Sequence, residues 1–342
     1  MRRAPRLLGL FAMAACSANF LPASAVTDLR VIGARVEVEG DATRANPSPG
    51  EDVQVSVLVV DRGAEPSKDP DVPALTPPLL TWFFVACVPT PTRIGPQICS
   101  APITPCDGCT GPPPTDRFAF PVIGFQVPPK EELDAVEARD VLLQGAVCGN
   151  GVPSPTAIQR FISGESDDLE PCEGPEIIPG VPIQGRFVTI QIPIERDPED
   201  PNLNPEISTV TFAGKAWPPP YDEGVPRTAP RTGCERDLTD AERDAHPRAG
   251  SGPSNIELFV PRNSLQSYTV DGTDFTEEIQ VSWLGDGGAF EVSFSFITDP
   301  AVSILTQWQA PPEDGLLVRF NFVIRDGRGG LDRVERGLCV LP

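Results

Sequence analysis

Nine cysteines, one histidine and a cluster of acids are the residues of this chain that could do chemistry. Cys106-Asp107-Gly108-Cys109 is a C-x-x-C, the spacing of a dithiol that cycles between thiol and disulfide in a βαβ setting. No such pattern surrounds it. It lies in the stretch 89–116, which holds eight Pro and three Cys, so it reads as a structural disulfide. A zinc site would need two more ligands; Cys87 and Cys99 are available, with oxidation after export as the competing fate. His246, in DAHPRAG, is the sole histidine. Every Ser/His/Asp or Cys/His mechanism would have to use it, and no G-x-S-x-G accompanies it. It reads as an exposed loop residue. Carboxylate pairs for glycoside hydrolysis are always on offer among 48 acidic residues, and nothing singles one out. No catalytic residue is assigned.

The best candidate for binding is DPEDPNLNPEI (197–207). Asp197, Glu199, Asp200, Asn202 and Asn204 are hard oxygen donors within eight residues, and calcium takes six to eight such ligands. Three prolines interrupt them and stiffen the segment. The competing reading is a solvated acidic hinge, which the sequence favours; calcium is the one cofactor candidate.

These residues need elements to hold them. MRRAPR followed by the short apolar run Leu7–Ala15 reads as an export signal over 1–15, too short to cross a bilayer. Met13-Ala14-Ala15-Cys16 resembles a bacterial lipobox, with Met in place of the usual Leu. It competes with a small-x-small cleavage site at Ala23-Ser24-Ala25. Either cut leaves eight other cysteines, so parity does not decide. The position of Cys16 at the end of the apolar run favours lipidation there, with 16–26 as lipidated residue and tether. By the same resemblance, Ser17 points to the outer membrane. Losing Arg2, Arg3 and Arg6 leaves 24 basic residues against 48 acidic ones. That balance disfavours nucleic acid and anionic headgroups and favours solubility.

Residues 27–196 read as a first β-domain. Leu29–Val38 has strand character. Val53, Val55, Val57 and Val59 alternate with Gln54, Ser56, Leu58 and Val60, a strand whose second face turns apolar toward its end. LLTWFFVACV (79–88) is a continuous apolar run suited to a central strand. One short helix is expected in 128–140, and another after Ser154-Pro155. Val141–Cys148 and Arg186–Ile194 add strands. The six cysteines allow fifteen pairings; one of them, Cys87 with Cys148, would tie two core strands.

After the linker 197–206, residues 207–342 carry the clearest pattern. Val318, Phe320, Phe322 and Ile324 alternate with Arg319, Asn321, Val323 and Arg325, giving a buried and a wetter face. Val292, Phe294 and Phe296 alternate with Glu291, Ser293 and Ser295, and the same rule buries the apolar set. Trp283 and Trp308 read as core. Asp326-Gly327 and Gly329-Gly330 supply a tight reversal. Residues 218–253 form a Pro/Arg/Asp-rich insertion with a capping-box helix at 239–242. Cys234 and Cys339 are the only cysteines of this half, which predicts that they pair; the long loop closed is worth about 4–5 kcal/mol.

The motifs VSW (281–283), WQAPPEDG (308–315) and VIRDGRGG (323–330), with a final apolar strand, resemble bacterial immunoglobulin-like or cadherin-like domains. Those of secreted lipoproteins in high-GC bacteria such as myxobacteria are the nearest in kind. The resemblance implies an all-β chain of two immunoglobulin-like sandwiches with long Pro-rich loops and a few short helices. It departs from antibody domains in lacking a Cys–Trp–Cys spacing and a corner Tyr. A faint internal repeat runs beside it: TWFFVAC (81–87) with VSWLGDG (281–287), and RDVLLQGAVCGNG (139–151) with GLLVRFNFVIRDGRGG (315–330).

The expectation is therefore a non-catalytic envelope lipoprotein. It would be membrane-bound through lipid, with a protein or glycan partner at the insertions 89–116 and 218–253 and no nucleic acid. A calcium-stiffened stalk and an exported enzyme (thiol redox or carboxylate hydrolase) are the alternatives.

Overall fold

The computed structural model describes residues 22–60, 80–90, 97–111, 120–165, 169–177, 182–196, 200–218, 248–250, 252–270, 272–312 and 317–340. Cys16, Cys234, His246, Asp197, Glu199 and the expected helix at 239–242 lie outside them, as does the side chain of Cys339. The chain is all-β, with two short α-helices among the described residues.

In the first half the strands are β1 (Arg30–Val38), β2 (Asp52–Val60), β3 (Leu80–Thr90), β4 (Ile98–Pro102), β5 (Cys106–Asp107), β6 (Val122–Gln126), β7 (Asp140–Gly149), β8 (Val152–Pro153), β9 (Cys172–Glu173) and β10 (Gln184–Pro193). Two antiparallel sheets, β1-β2-β6-β5 and β10-β7-β3-β4, face each other. Between them lie Val53, Val55, Val57 and Val59 of β2 with Trp82, Phe84, Ile123, Val141, Leu143 and Val147. The apolar run of β3 is central, between β7 and β4; it turns Trp82, Phe84, Ala86 and Val88 into the core, while Phe83 and Val85 on its other face are half-buried. Helix α1 (Lys130–Ala135) buries Leu133. Helix α2 (Pro155–Ile162) starts on Pro155 after Ser154, as the sequence predicts. The Ser154 hydroxyl does not cap it but donates to Glu173 Oε2 at 2.6 Å.

Three disulfides join Cys87 to Cys99, Cys106 to Cys109 and Cys148 to Cys172. The pairing of Cys87 with Cys148 is thereby corrected. In the β3–β7 register Cys87 faces Leu142 and Cys148 faces Thr81. Six residues of strand, about 20 Å, separate the two, whereas a disulfide needs Cα atoms within about 7 Å.

The second half holds β11 (Thr209–Phe212), β12 (Lys215–Ala216), β13 (Arg248–Ala249), β14 (Pro253–Phe259), β15 (Ser267–Val270), β16 (Thr273–Thr276), β17 (Ile279–Gly285), β18 (Ala289–Phe290), β19 (Phe294–Ile297), β20 (Ser303–Gln309), β21 (Leu317–Arg325) and β22 (Leu331–Val340). Its sheets are β12-β11-β14-β20-β18 and β13-β22-β21-β17-β19, with β15-β16 as a separate hairpin. Trp283 and Trp308 are fully buried. Phe320 sits edge-on to Trp217 and Trp308 at ring-centroid distances of 5.1 Å, the arrangement that aromatic quadrupoles favour.

Both halves share one strand order. The first two long strands and a later one form one sheet (β1-β2-β6, β11-β14-β20). The last two, the third and a short edge strand form the other (β10-β7-β3-β4, β22-β21-β17-β19). This is the immunoglobulin-type partition. The strands that carry the paired segments, β3 with β17 and β7 with β21, hold equivalent places in the two halves.

Two face assignments need correction. The supposedly wetter face of β21 is covered: Val323 is buried and packs with Val26, Val60, Leu284 and Leu331, flanked by Ile32 and Leu58. The first domain lies on that face, which also explains why the second face of β2 turns apolar at Leu58 and Val60. Conversely, Val292, Phe294 and Phe296 are exposed, not buried. On β17, Val281 and Trp283 point into the core, and Phe294 and Phe296 stand opposite Ser282 and Gln280 on the other face. Register against β17, not apolar content, sets their side.

Candidate functional site

The calcium candidate and the Asp-Gly turn meet at the junction of the two sandwiches. The turn Asp326–Gly330 links β21 to β22, with Gly327 and Gly329 at φ of 81° and 122°. Asp326 Oδ1 accepts the backbone N–H groups of Arg328, Gly329 and Gly330 at 2.7, 3.1 and 2.9 Å. Its Oδ2 accepts Asn202 Nδ2 at 3.0 Å. A Cβ on Gly330 would stand 2.2 Å from that Oδ2 and 2.9 Å from the Leu203 carbonyl, so only glycine lets the linker approach.

The linker donors predicted for calcium are divided by this geometry. Asp200 is exposed. Asn202 is fully buried; its N–H donates to Glu195 Oε2 and its carbonyl accepts from Ala45. Asn204 donates through Nδ2 to the Val36 carbonyl at 2.7 Å and accepts the Leu331 N–H at Oδ1, at 3.1 Å. Both asparagines therefore serve as cross-domain hydrogen-bonding groups. Asn202 and Pro205 are buried and Pro201, Leu203 and Asn204 half-buried, so 201–205 is packed at the junction in place of the expected solvated hinge; Asp200 and Glu206 stay exposed. Among the described residues no three His, Cys, Asp or Glu side chains form a metal-holding group.

A second carboxylate completes the junction, and the sequence reading missed it. Glu277 is buried; its Oε1 accepts Arg328 Nη1 at 3.0 Å and its Oε2 accepts the Gln266 N–H at 3.2 Å. Burial, and next the nearby Asp326 charge, push its carboxyl up to about 7. Burial also raises Asp326. Arg328 lies between this pair and the Tyr268 ring, 4.5 Å from its centroid. Gln266 ties the same corner to the linker, accepting the Leu203 N–H at 2.7 Å and donating to the Pro201 carbonyl. In sequence, Glu277 is one acid among 48, with no spacing to mark it.

The Cys106–Cys109 disulfide occupies a different place, on the edge strand β5. Cys109 is buried and its carbonyl accepts the Phe84 N–H at 2.7 Å; the Gly108 carbonyl accepts the Trp82 indole N–H at 2.8 Å. This loop is stitched onto β3. Cys106 starts a strand and has no helix N-terminus to stabilise a thiolate. The geometry suits a staple.

The segment before β1 also reaches the second domain. The Ser24 carbonyl accepts the Gly285 N–H and the Val26 N–H donates to the Gly285 carbonyl, both at 2.9 Å. Ser24 and Val26 are buried, and the Ser24 N–H donates to Ser293 Oγ at 3.2 Å.

No family model and no curated protein matches the chain. Among solved structures it is similar to the structure of Yersinia pseudotuberculosis adhesin InvE, at 9% identity over 91% of this chain, with a TM-score of 0.18. The match spans 60% of the adhesin chain. A TM-score of that size carries no argument about function.

Proposed function

We propose that this protein is an exported, non-catalytic lipoprotein of a bacterial outer membrane, anchored through Cys16, whose paired sandwiches present loops to a protein or glycan. Three disulfides are those of a chain that folds in an oxidising, extracytoplasmic compartment. The observation that carries the anchor is the seating of residues 24–26 on β17. Cleavage after Ala25 would remove the Ser24 carbonyl that satisfies the Gly285 N–H and would put a new charged terminus at the buried Val26. Cleavage before Cys16 keeps this segment whole. The scaffold role rests on the junction, where the carboxylates of Asp326 and Glu277 are taken up by backbone N–H groups, Asn202 and Arg328.

The test is the intact mass of the protein from the membrane fraction, alkylated without and with reduction. The expected species starts at Cys16, carries lipid and has no free thiol. A chain beginning at Val26, or an alkylatable Cys106/Cys109 pair, would return the enzyme reading.

A further inference from the structure

We infer that the outer face of β19, with Phe294, Phe296 and Val292, is the surface on which the protein rests against the lipid bilayer; the inference builds on the anchor at Cys16. Phe294, Phe296 and Val292 are 47%, 54% and 42% exposed, among the largest apolar exposures of the described residues. They lie on the edge of a face that carries a covered apolar contact further in, with Ser282 and Gln280 of β17 next to them. On the sheet β22-β21-β17-β19, Leu331, Val323 and Leu284 on the outer side are covered by the first domain. Phe294 and Phe296 sit on that same side, on the one strand at the end of the row. An exposed apolar surface of this kind marks a contact with something outside the fold.

The path of the chain says what that something is. The described chain begins at Pro22, and Ser24 is hydrogen-bonded to Ser293, between Val292 and Phe294. Cys16 is six residues upstream of Pro22. Eight residues separate Cys16 from Ser24, so at about 3.5 Å per residue the lipid is attached within about 28 Å of the Ser24–Ser293 contact beside the patch. A tether that short holds the patch at high effective concentration beside the membrane. The net negative charge of the chain rules out attraction to anionic headgroups as the seating force, whereas aromatic side chains enter the interface without charge. The lipid supplies the attachment; the patch sets which side of the protein faces down.

Two variants, each with one added Trp, test this in the full lipidated chain, reconstituted into zwitterionic phosphatidylcholine vesicles with brominated acyl chains. Phe296→Trp reports the patch. Leu305→Trp, at a position 49% exposed on the opposite sheet, is the control. The four native Trp residues give the parent background. Seating predicts a blue shift and bromine quenching at position 296 and neither at 305. No quenching at 296, or equal quenching at both, in protein whose mass shows lipid on Cys16, overturns the seating and leaves the anchor standing. A mass without lipid overturns the anchor itself. Dimerisation in detergent that Phe294→Ser/Phe296→Ser abolishes would assign the patch to a second copy instead, and would also overturn the inference.

Discussion

Asn202 Nδ2 stands 3.0 Å from Asp326 Oδ2, 124 residues away in sequence, and both side chains are buried. One amide thus fastens the connection between the two sandwiches to the β21–β22 turn of the second. Asp326 gathers three backbone N–H groups and this amide, and Gly330 provides the room. The acidic, Pro-rich connection is a built part of the interface at this point.

Removing the carboxylate leaves those donors without an acceptor in a buried place. Asp326→Ala is expected to destabilise the second domain by about 3 kcal/mol, the scale for orphaning buried donors of a charged acceptor. Asp326→Asn keeps one acceptor oxygen and should cost less. Urea unfolding followed by the fluorescence of the buried Trp217, Trp283 and Trp308 reads the difference; equal costs for the two variants would argue against the turn as the origin.

Glu277 gives the junction a pH dependence. Its carboxyl is raised in the fold from 4.5 to about 7. Between those values the folded chain holds a proton that the unfolded chain has released, so the contribution of this group to stability falls as pH rises from about 4.5 through 7. The Asp326 and Asp332 carboxyls, both raised by burial, add in the same direction. Glu277→Gln should flatten the pH profile of the melting temperature between pH 5 and 8, leaving Arg328 against Tyr268. An unchanged slope would mean that Glu277 does not titrate there.

Calcium should change little. Asn204 has its oxygen and its amide engaged, and Asn202 turns its amide nitrogen toward Asp326. Millimolar calcium is expected to leave the melting temperature and the protease sensitivity of 197–208 unchanged. Protection of that segment by calcium, reversed by a chelator, would revive the stiffened stalk.

The disulfides should differ in weight by the loops they close. Cys148–Cys172 spans a sequence separation of 24 and Cys106–Cys109 only 3. Loop-closure entropy then gives about 3.4 kcal/mol for the first and under about 2 kcal/mol for the second. Cys148→Ser/Cys172→Ser should lower the stability of the first domain more than Cys106→Ser/Cys109→Ser, as measured by chemical denaturation. The reverse order would point to the stitching of Gly108 and Cys109 onto β3 as the dominant effect.

Much of the fold was legible because a period of two is written directly in residues such as Val53, Val55, Val57 and Val59, all of which face one core. The faces lost were those decided by another domain or by register. Val323 alternates with core residues and sits between two arginines' positions at 319 and 325, so local pattern makes it wet; contact with Val60 and Leu331 makes it dry. Phe294 and Phe296 have the opposite history. At the junction, Asn202 and Asn204 stood out as oxygen donors, but which of their atoms face protein groups depends on strands more than a hundred residues distant. Glu277 carried no local mark at all.

The interface between the sandwiches is open to test at Val323. Val323 points away from the aromatic core of its own domain and into the apolar contact with the first. An aspartate there would have to lose its hydration in the contact or force it open, while Phe320 and Phe322 keep their places on the other face of β21. Val323→Asp is therefore expected to leave the secondary structure and the buried-Trp fluorescence intact, increase the radius of gyration in solution scattering, and expose the connection around Asn202 to proteolysis. Loss of the tryptophan signature together with compactness would instead mean that the second sandwich cannot hold its fold without the first, making the junction part of its core.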